Sequence, residues 1–325
     1  MSDFPEPVLR TLFTKAGVRQ LINLPFDVFK DAYVDTGVYI IGREPTDSYA
    51  ICRIPKKAKI ESLDKIQPLE VESALVQAPQ YKIIFDPQVQ KLLTRLSDEG
   101  RYTTLGAVTR STQGLAANRF ERSSRKPKGD WYPFAELGQA HRYQIQIDST
   151  SAANMRDFPS LKQFYEAEPK ILVRRVINRQ DRLDAAYFED QMVFKKDLNP
   201  FVPTDSNYDA LFLLALLNSR LFSYLYMNTS TIATKDDFRQ TTLAELRRLP
   251  VPIIRLSRTI DKTRCEETAG KAKAMLDAKG RLANVRSEKD RAYYENKCAA
   301  LDRQIDRLVY EMYGLTTEEI QSVEQ

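Results

Sequence analysis

The chain has 325 residues, 42% of them hydrophobic and 29% charged, with 11 Gly and 16 Pro; this excludes a collagen-like repeat, a Gly-rich linker protein and wholesale disorder, and predicts more than one structural unit. Three scattered cysteines (Cys52, Cys265, Cys298) and one histidine (His141) exclude a disulfide framework, a cysteine cluster and a His-rich metal site, and predict a reducing compartment. The formal net charge is +5.

In chain order, residues 18–24 form an apolar segment, and 37–42, a β-branched run bounded by glycines, predict a buried strand. Short strands are expected over 49–54 and 81–85. Val89, Leu92, Leu93 and Leu96, at i, i+3, i+4 and i+7, predict a helix over 88–96. A basic stretch follows and closes at 131–134. Residues 143–147 alternate as a half-buried strand does, 160–168 read as a helix after a proline, 169–177 as the strongest strand, and 191–195 as a further strand. Residues 208–226 are apolar nearly all round and predict one or two core helices. Their longest apolar run, 211–217, is broken by Asn218, Ser219 and Arg220 well short of the ~20 residues a membrane helix needs. The opening MSDFPEPVLR lacks a basic stretch followed by an apolar one. A cytoplasmic protein without a membrane partner is the expectation. Pro250-Val-Pro252 reads as a boundary. From Ile260 to Met312 the sequence predicts a helical pair, with Leu301, Ile305, Leu308, Val309 and Met312 as its packing seam. Gly314 stops it, and Thr316-Thr-Glu-Glu319 caps a last short helix.

Residues 101–130 hold seven basic side chains (Arg101, Arg110, Arg119, Arg122, Arg125, Lys126, Lys128) against two acids (Glu121, Asp130), so this stretch alone carries +5 and the rest balances at 42 against 42. A second cluster, Lys170, Arg174, Arg175, Arg179 and Arg182, faces only Asp181. Such concentration is that of a polyanion-binding surface, the plain alternative being a solvated face. Arg110-Ser-Thr-Gln-Gly114 favours the first, because it sets hydroxyl and amide groups beside an arginine, the side chains that read base edges and phosphates.

Sites for independent catalysis are missing from the sequence: there is no GxGxxG, GxxxxGK[ST] or GxSxG motif. His141 has no signposted triad partner, Cys52 reads as a small buried hydrophobe, and Glu70 and Glu72 as solvated acids. No catalytic, cofactor or metal residue is assigned.

Leu24-Pro-Phe-Asp-Val-Phe-Lys-Asp-Ala-Tyr-Val-Asp-Thr36 with Gly37-Val-Tyr-Ile-Ile41 resembles the last strands of the catalytic domain of N6-adenine DNA methyltransferases of the TaqI and Eco57I kind. Arg110-Ser-Thr-Gln-Gly114, Lys170-Ile-Leu-Val-Arg174, Leu216-Leu-Asn-Ser-Arg-Leu221 and Leu249-Pro-Val-Pro252 follow in the order of that family's C-terminal specificity region, and Val309-Tyr-Glu-Met-Tyr-Gly-Leu-Thr316 resembles its ending. The family's S-adenosylmethionine motif and its Asn-Pro-Pro-Tyr (or Phe) motif are not in this sequence; Asn199-Pro-Phe-Val202 lacks the second proline and takes no catalytic role. The resemblance implies an α+β fold: a short remnant of a methyltransferase sheet (1–57), a mixed α/β DNA target-recognition domain (58–255) and a helical tail (256–325). It implies duplex DNA as ligand and a catalytic methyltransferase chain or domain as partner. S-adenosylmethionine is then bound by the complete enzyme and not by this chain. On this reading Arg110, Thr112, Gln113, Arg122, Arg125, Lys126 and Lys128 form the DNA face, with Arg174, Arg175, Arg179 and Arg182 as a second wall; Lys235 and Arg239 are weaker phosphate candidates. Gln113 and the arginines suit base edges, and the lysines suit phosphates. A stand-alone specificity subunit that recruits a separate methyltransferase or nuclease shares this face, and a helical scaffold protein is the remaining alternative.

Overall fold

The computed structural model describes residues 6–24, 36–54, 67–76, 81–116, 121–124, 129–135, 137–148, 151–230, 233 and 239–324. The fold is α+β, with several small sheets and a helical C-terminus, and separates into two compact units, Met1–Leu96 and Ser97–Gln325.

The first unit runs α1 (Glu6–Thr14), β1 (Gly17–Asn23), β2 (Gly37–Gly42), β3 (Ser48–Arg53), β4 (Leu69–Glu72), a 3₁₀ turn over Ser73–Leu75, and α2 (Pro87–Leu96). Its sheet has the order β2-β1-β3-β4, with β1 and β3 parallel and the outer pairs antiparallel. Adjacent residues Leu21 and Ile22, and Ile51 and Cys52, are all buried, so the two central strands are covered on both faces, as parallel pairs generally are. The strand expected over 37–42 exists but is not buried. It lies at the edge with β1 as its one neighbour, and Val38, Ile40 and Ile41 are about 40% exposed or more. The strand expected over 81–85 is not formed: Tyr81 has a positive φ, and the buried Ile84 N–H is satisfied by the Gln90 side chain, 3.0 Å, where a strand would use a neighbouring backbone. Tyr81, Ile83 and Phe85 pack on the sheet from this irregular segment. Residues 25–35 lie outside the described residues.

The second unit opens with β5 (Tyr102–Thr104), α3 (Leu105–Val108), β6 (Thr109–Ser111), β7 (Arg122–Ser123), β8 (Trp131–Ala135), β9 (Leu137–His141), β10 (Gln144–Asp148) and β11 (Ser151–Asn154). It continues with α4 (Pro159–Tyr165), β12 (Lys170–Arg174), β13 (Ala185–Phe188), β14 (Val193–Phe194), β15 (Leu198–Pro203), α5 (Ala210–Asn218), α6 (Arg220–Thr229), α7 (Leu243–Arg247), β16 (Pro250–Pro252), α8 (Thr259–Asn284), α9 (Glu288–Tyr313) and α10 (Thr317–Glu324). Two four-stranded sheets, β13-β12-β15-β6 and β14-β8-β11-β7, share one core in which Phe134, Tyr165, Leu172 and Phe194 have no exposed surface. In β12, Ile171, Leu172 and Val173 are fully buried, which explains its unbroken apolar run. Lys170 is buried beside them, its Nζ donating to the carbonyls of Ala167 and Asp190 and standing 5.3 Å from the Phe188 ring. β8 is a strand that periodicity missed, because Pro133 interrupts a run whose strand character comes from partners on both sides.

The expected core helices are α5 and α6, bent by 60° at Ser219; residues 212–219 are buried throughout. Among the described residues no single helix is long and apolar enough to cross a membrane. Pro250-Val-Pro252 is no boundary: as β16 it pairs antiparallel with β5 inside the second unit. α8 and α9 form the expected helical pair; Leu301, Ile305, Leu308 and Val309 are buried, whereas Met312, the fifth residue of the predicted stripe, is half-buried. The predicted cap of α10 is reciprocal, the Thr316 N–H donating to Glu319 Oε2 (2.9 Å) and the Glu319 N–H to Thr316 Oγ1 (3.3 Å). Contacts thus divide the chain after Leu96, whereas the sequence division falls at 57/58 and 255/256; α2 packs on the first sheet and the tail helices on α5 and α6.

Candidate nucleic-acid interface

Arg110 sits in the middle of β6, the edge strand of its sheet, opposite Val202. Its neighbours Thr109 and Ser111 point inward and are buried, so the pleat turns Arg110 outward, where its Nη1 donates to Gln163 Oε1 of α4, 3.0 Å away. Two anchors then shape the next residues. Arg247 of α7 donates from Nε to Ser111 Oγ (2.8 Å) and from Nη2 to the Ser111 carbonyl. At the other side, Gly114 lies so close to the turn before β15 that an added Cβ would stand 1.9 Å from the Lys195 carbonyl oxygen and 2.7 Å from that of Leu198. Between Arg247 and that glycine contact, Thr112 is half-exposed and Gln113 exposed. Their positions are set by the sheet, which gives them the pre-organisation that base contacts require.

Arg122 is exposed on β7, the edge strand of the other sheet, paired with Ala153 of β11. Arg125, Lys126, Lys128 and Lys235 lie outside the described residues.

The second cluster divides. Arg179 is exposed in a tight turn held by Asn178, whose Oδ1 accepts from the N–H groups of Gln180 (2.9 Å) and Arg182 (3.1 Å). Arg175 is half-exposed, and Arg174 is half-exposed with its guanidinium 3.6 Å from Asp184. Arg239 is ion-paired with Asp181. Arg174 is paired with Leu198 at one end of β15, while Arg110 is paired with Val202. Four residues and two strand spacings separate them, roughly 16 Å between Cα atoms, on the same face of the sheet.

Arg182 does not belong to this wall. It is 8% exposed, and its Nη2 donates to the Asn218 carbonyl at the C-terminus of α5, 2.7 Å away. Arg142 donates to the same carbonyl (2.9 Å) and is ion-paired with Asp302 of α9. Two guanidiniums at the negative end of a buried helix are a structural device. Burial and the neighbouring Arg142 hold the Arg182 guanidinium below its usual range. Leu-Asn-Ser-Arg in the second unit has a structural meaning as well. The Asn218 side chain exchanges two hydrogen bonds with the backbone of Ala185 in β13 (3.0 and 2.9 Å), Ser219 caps α6, and the Arg220 N–H donates to Asp306 Oδ1 (2.8 Å). Asn-Ser at a break between two apolar runs is the sequence signal of such a cap. Asn199 is buried inside β15 opposite Val173.

No group of His, Cys, Asp or Glu among the described residues could hold a metal ion. A cavity of about 210 Å³ is lined by four arginines and one aspartate, and an open groove of about 740 Å³ at the turn between α8 and α9 mainly by polar and charged residues.

Arg110, Arg122 and Arg179 are exposed on a mixed α/β unit with a helical tail. Residues 135–251 match the TaqI-like C-terminal specificity domain. In an alignment of 318 positions that covers 94% of its length, the chain is 35% identical to RM.MjaORFECS2P of Methanocaldococcus jannaschii, which bears the name of a type II restriction enzyme and methyltransferase. The fold is similar to that of the type IIL restriction-modification enzyme MmeI, solved in complex with DNA, with a TM-score of 0.51 at 9% identity over 95% of this chain. The chain spans a quarter of the length of the first relative and 45% of the second.

Proposed function

We propose that this chain is the DNA-recognising part of a site-specific adenine-N6 DNA methyltransferase of a restriction-modification system, working with a catalytic methyltransferase chain or domain that supplies the S-adenosylmethionine site. The observation that carries it is the specificity domain at 135–251 joined to an edge strand that holds Arg110 outward and keeps Thr112 and Gln113 between two anchors. A methyltransferase must extrude its target base, so a separate module has to hold and read the surrounding duplex. Arg110 and Gln113 are the base-edge candidates, because Arg pairs bidentately with guanine and Gln with adenine. Arg122, Arg175 and Arg179 are backbone contacts.

The test is selection from a randomised duplex pool at physiological salt. The expected result is enrichment of one motif that includes an A·T pair; a pool that stays random sinks site-specific recognition, and a motif of G·C pairs alone sinks adenine as the target. On the enriched site, Arg110→Ala is expected to cost about 1–3 kcal/mol and to relax discrimination at one position, with a smaller loss on random duplex. Equal losses on both would reassign Arg110 to the backbone.

A further inference from the structure

We propose that the second unit holds a phosphate-binding cradle outside the specificity domain, at the junction of β5, β16 and the tail helices. Its cavity of about 210 Å³ is lined by four basic residues, Arg101, Arg255, Arg258 and Arg264, against a single acid, Asp261, with Tyr102 also in the lining. None of the lining residues falls within 135–251. The four arginines come from three separate pieces of chain, the turn before β5, the segment after β16 and the first turns of α8, and all four are exposed. Four arginines around one cavity repel one another at low salt unless an anion sits among them, and Asp261 balances only one. The Asp261 carboxylate is moreover engaged, its Oδ2 accepting the Arg255 N–H at 3.2 Å.

The frame beneath is rigid. The Ile253 N–H donates to the Arg101 carbonyl (2.9 Å), the Tyr102 ring stacks on Tyr313 with centroids 5.5 Å apart, and Tyr313 Oη donates to the Pro250 carbonyl (2.7 Å). Arg101 lies 5.7 Å from the centroid of the Tyr102 ring. The cavity is below the ~300–1,000 Å³ of pockets that enclose whole small molecules, so it suits a group and not an entire nucleotide. The uncapped start of α8, a 26-residue helix, adds positive potential on the same side. Guanidinium forks bind the tetrahedral oxyanion of a phosphate bidentately.

Such a phosphate is either a diester of the DNA backbone or a free phosphate group. The DNA source rests on the function proposed above, whereas the cradle itself does not. The double variant R255Q/R258Q changes two exposed side chains and leaves the packing intact. Binding of the full chain to a labelled duplex is measured against KCl concentration. In parallel, the Tm of each protein is followed against inorganic phosphate at constant ionic strength; phosphate raises Tm generally by exclusion, so the difference between wild type and variant is what counts. A log-log salt slope lower by about one to two in the variant assigns the cradle to DNA phosphates. An unchanged slope, or a wild type that binds no duplex, together with a phosphate-dependent rise in Tm that the variant loses, assigns it to free phosphate; in the second case the DNA reading fails while the cradle stands. Equal slopes and equal Tm curves overturn the cradle, and duplex binding by both proteins would then leave the proposed DNA function untouched.

Discussion

Gly114 shows how one residue without a side chain fixes two that have them. Alanine there would set its methyl 1.9 Å from a backbone carbonyl oxygen that belongs to a packed turn, so the segment 112–115 has to retreat from β15. Gly114→Ala is expected to cost about 1–3 kcal/mol, as overpacking does. Urea midpoints check this, and a midpoint equal to that of the wild type would mean that the turn yields. Arg179 and Arg182 make a sharper pair. Arg182→Ala removes a buried charge-assisted hydrogen bond and is expected to lower stability by about 1.5–3 kcal/mol with no change in the salt slope of duplex binding. Arg179→Ala is expected to leave the urea midpoint alone and to lower that slope by about one. Reversal of the two effects would place Arg182 on the ligand and Arg179 in the fold.

At the scale of elements, the Asn218 side chain ties the end of α5 to β13 at the joint with α6. Asn218→Leu keeps the size of the side chain but leaves the N–H of Ala185 without its partner, at about 1–3 kcal/mol, while the Ala185 carbonyl keeps the Tyr143 N–H (2.9 Å). Thermal unfolding of the variant measures this, and a loss below 1 kcal/mol would show that water replaces the amide. That joint also marks where sequence stops being enough. Elements whose stability is local or fully buried were legible: β12 from its apolar run, α2 from its spacing, and α8, α9 and the capping box of α10 from pattern and caps. Elements defined by their neighbours were not. Nothing in 37–42 says that only one side has a strand beside it, and nothing in 131–135 says that partners on both sides override Pro133. The interface divides in the same way. Arg110, Thr112 and Gln113 stood out by composition, but the hand that steadies them, Arg247, comes from 136 residues away. Arg179 and Arg182 are three residues apart in one basic cluster, and only the position of the α5 C-terminus separates surface from core.

Across the second unit, the tail helices are tied to the specificity domain by a buried polar network instead of by the apolar seam alone. Arg142 reaches Asp302, and the Arg220 N–H reaches Asp306, which is 4% exposed and also faces the Arg220 guanidinium at 3.6 Å and the buried Arg182. Burial pushes the Asp306 carboxyl up to about 6, against the opposing pull of the Arg220 N–H and Arg182. A carboxyl whose folded value lies above its unfolded one binds its proton more tightly in the native state. Its stabilisation is therefore complete below pH ~4 and is lost as pH rises through ~6, a change of about 3 kcal/mol for a shift of this size. Asp306→Asn retains an acceptor for the Arg220 N–H but cannot ionise. The difference in unfolding free energy between variant and wild type is expected to move in favour of the variant between pH 4 and 7, read from urea midpoints at each pH, with other titrating groups cancelling in the subtraction. A difference that stays flat across that range would mean that Arg142, Arg182 and Arg220 keep Asp306 charged throughout, and the helical tail would then be fastened by a permanent ion cluster in place of a protonated acid.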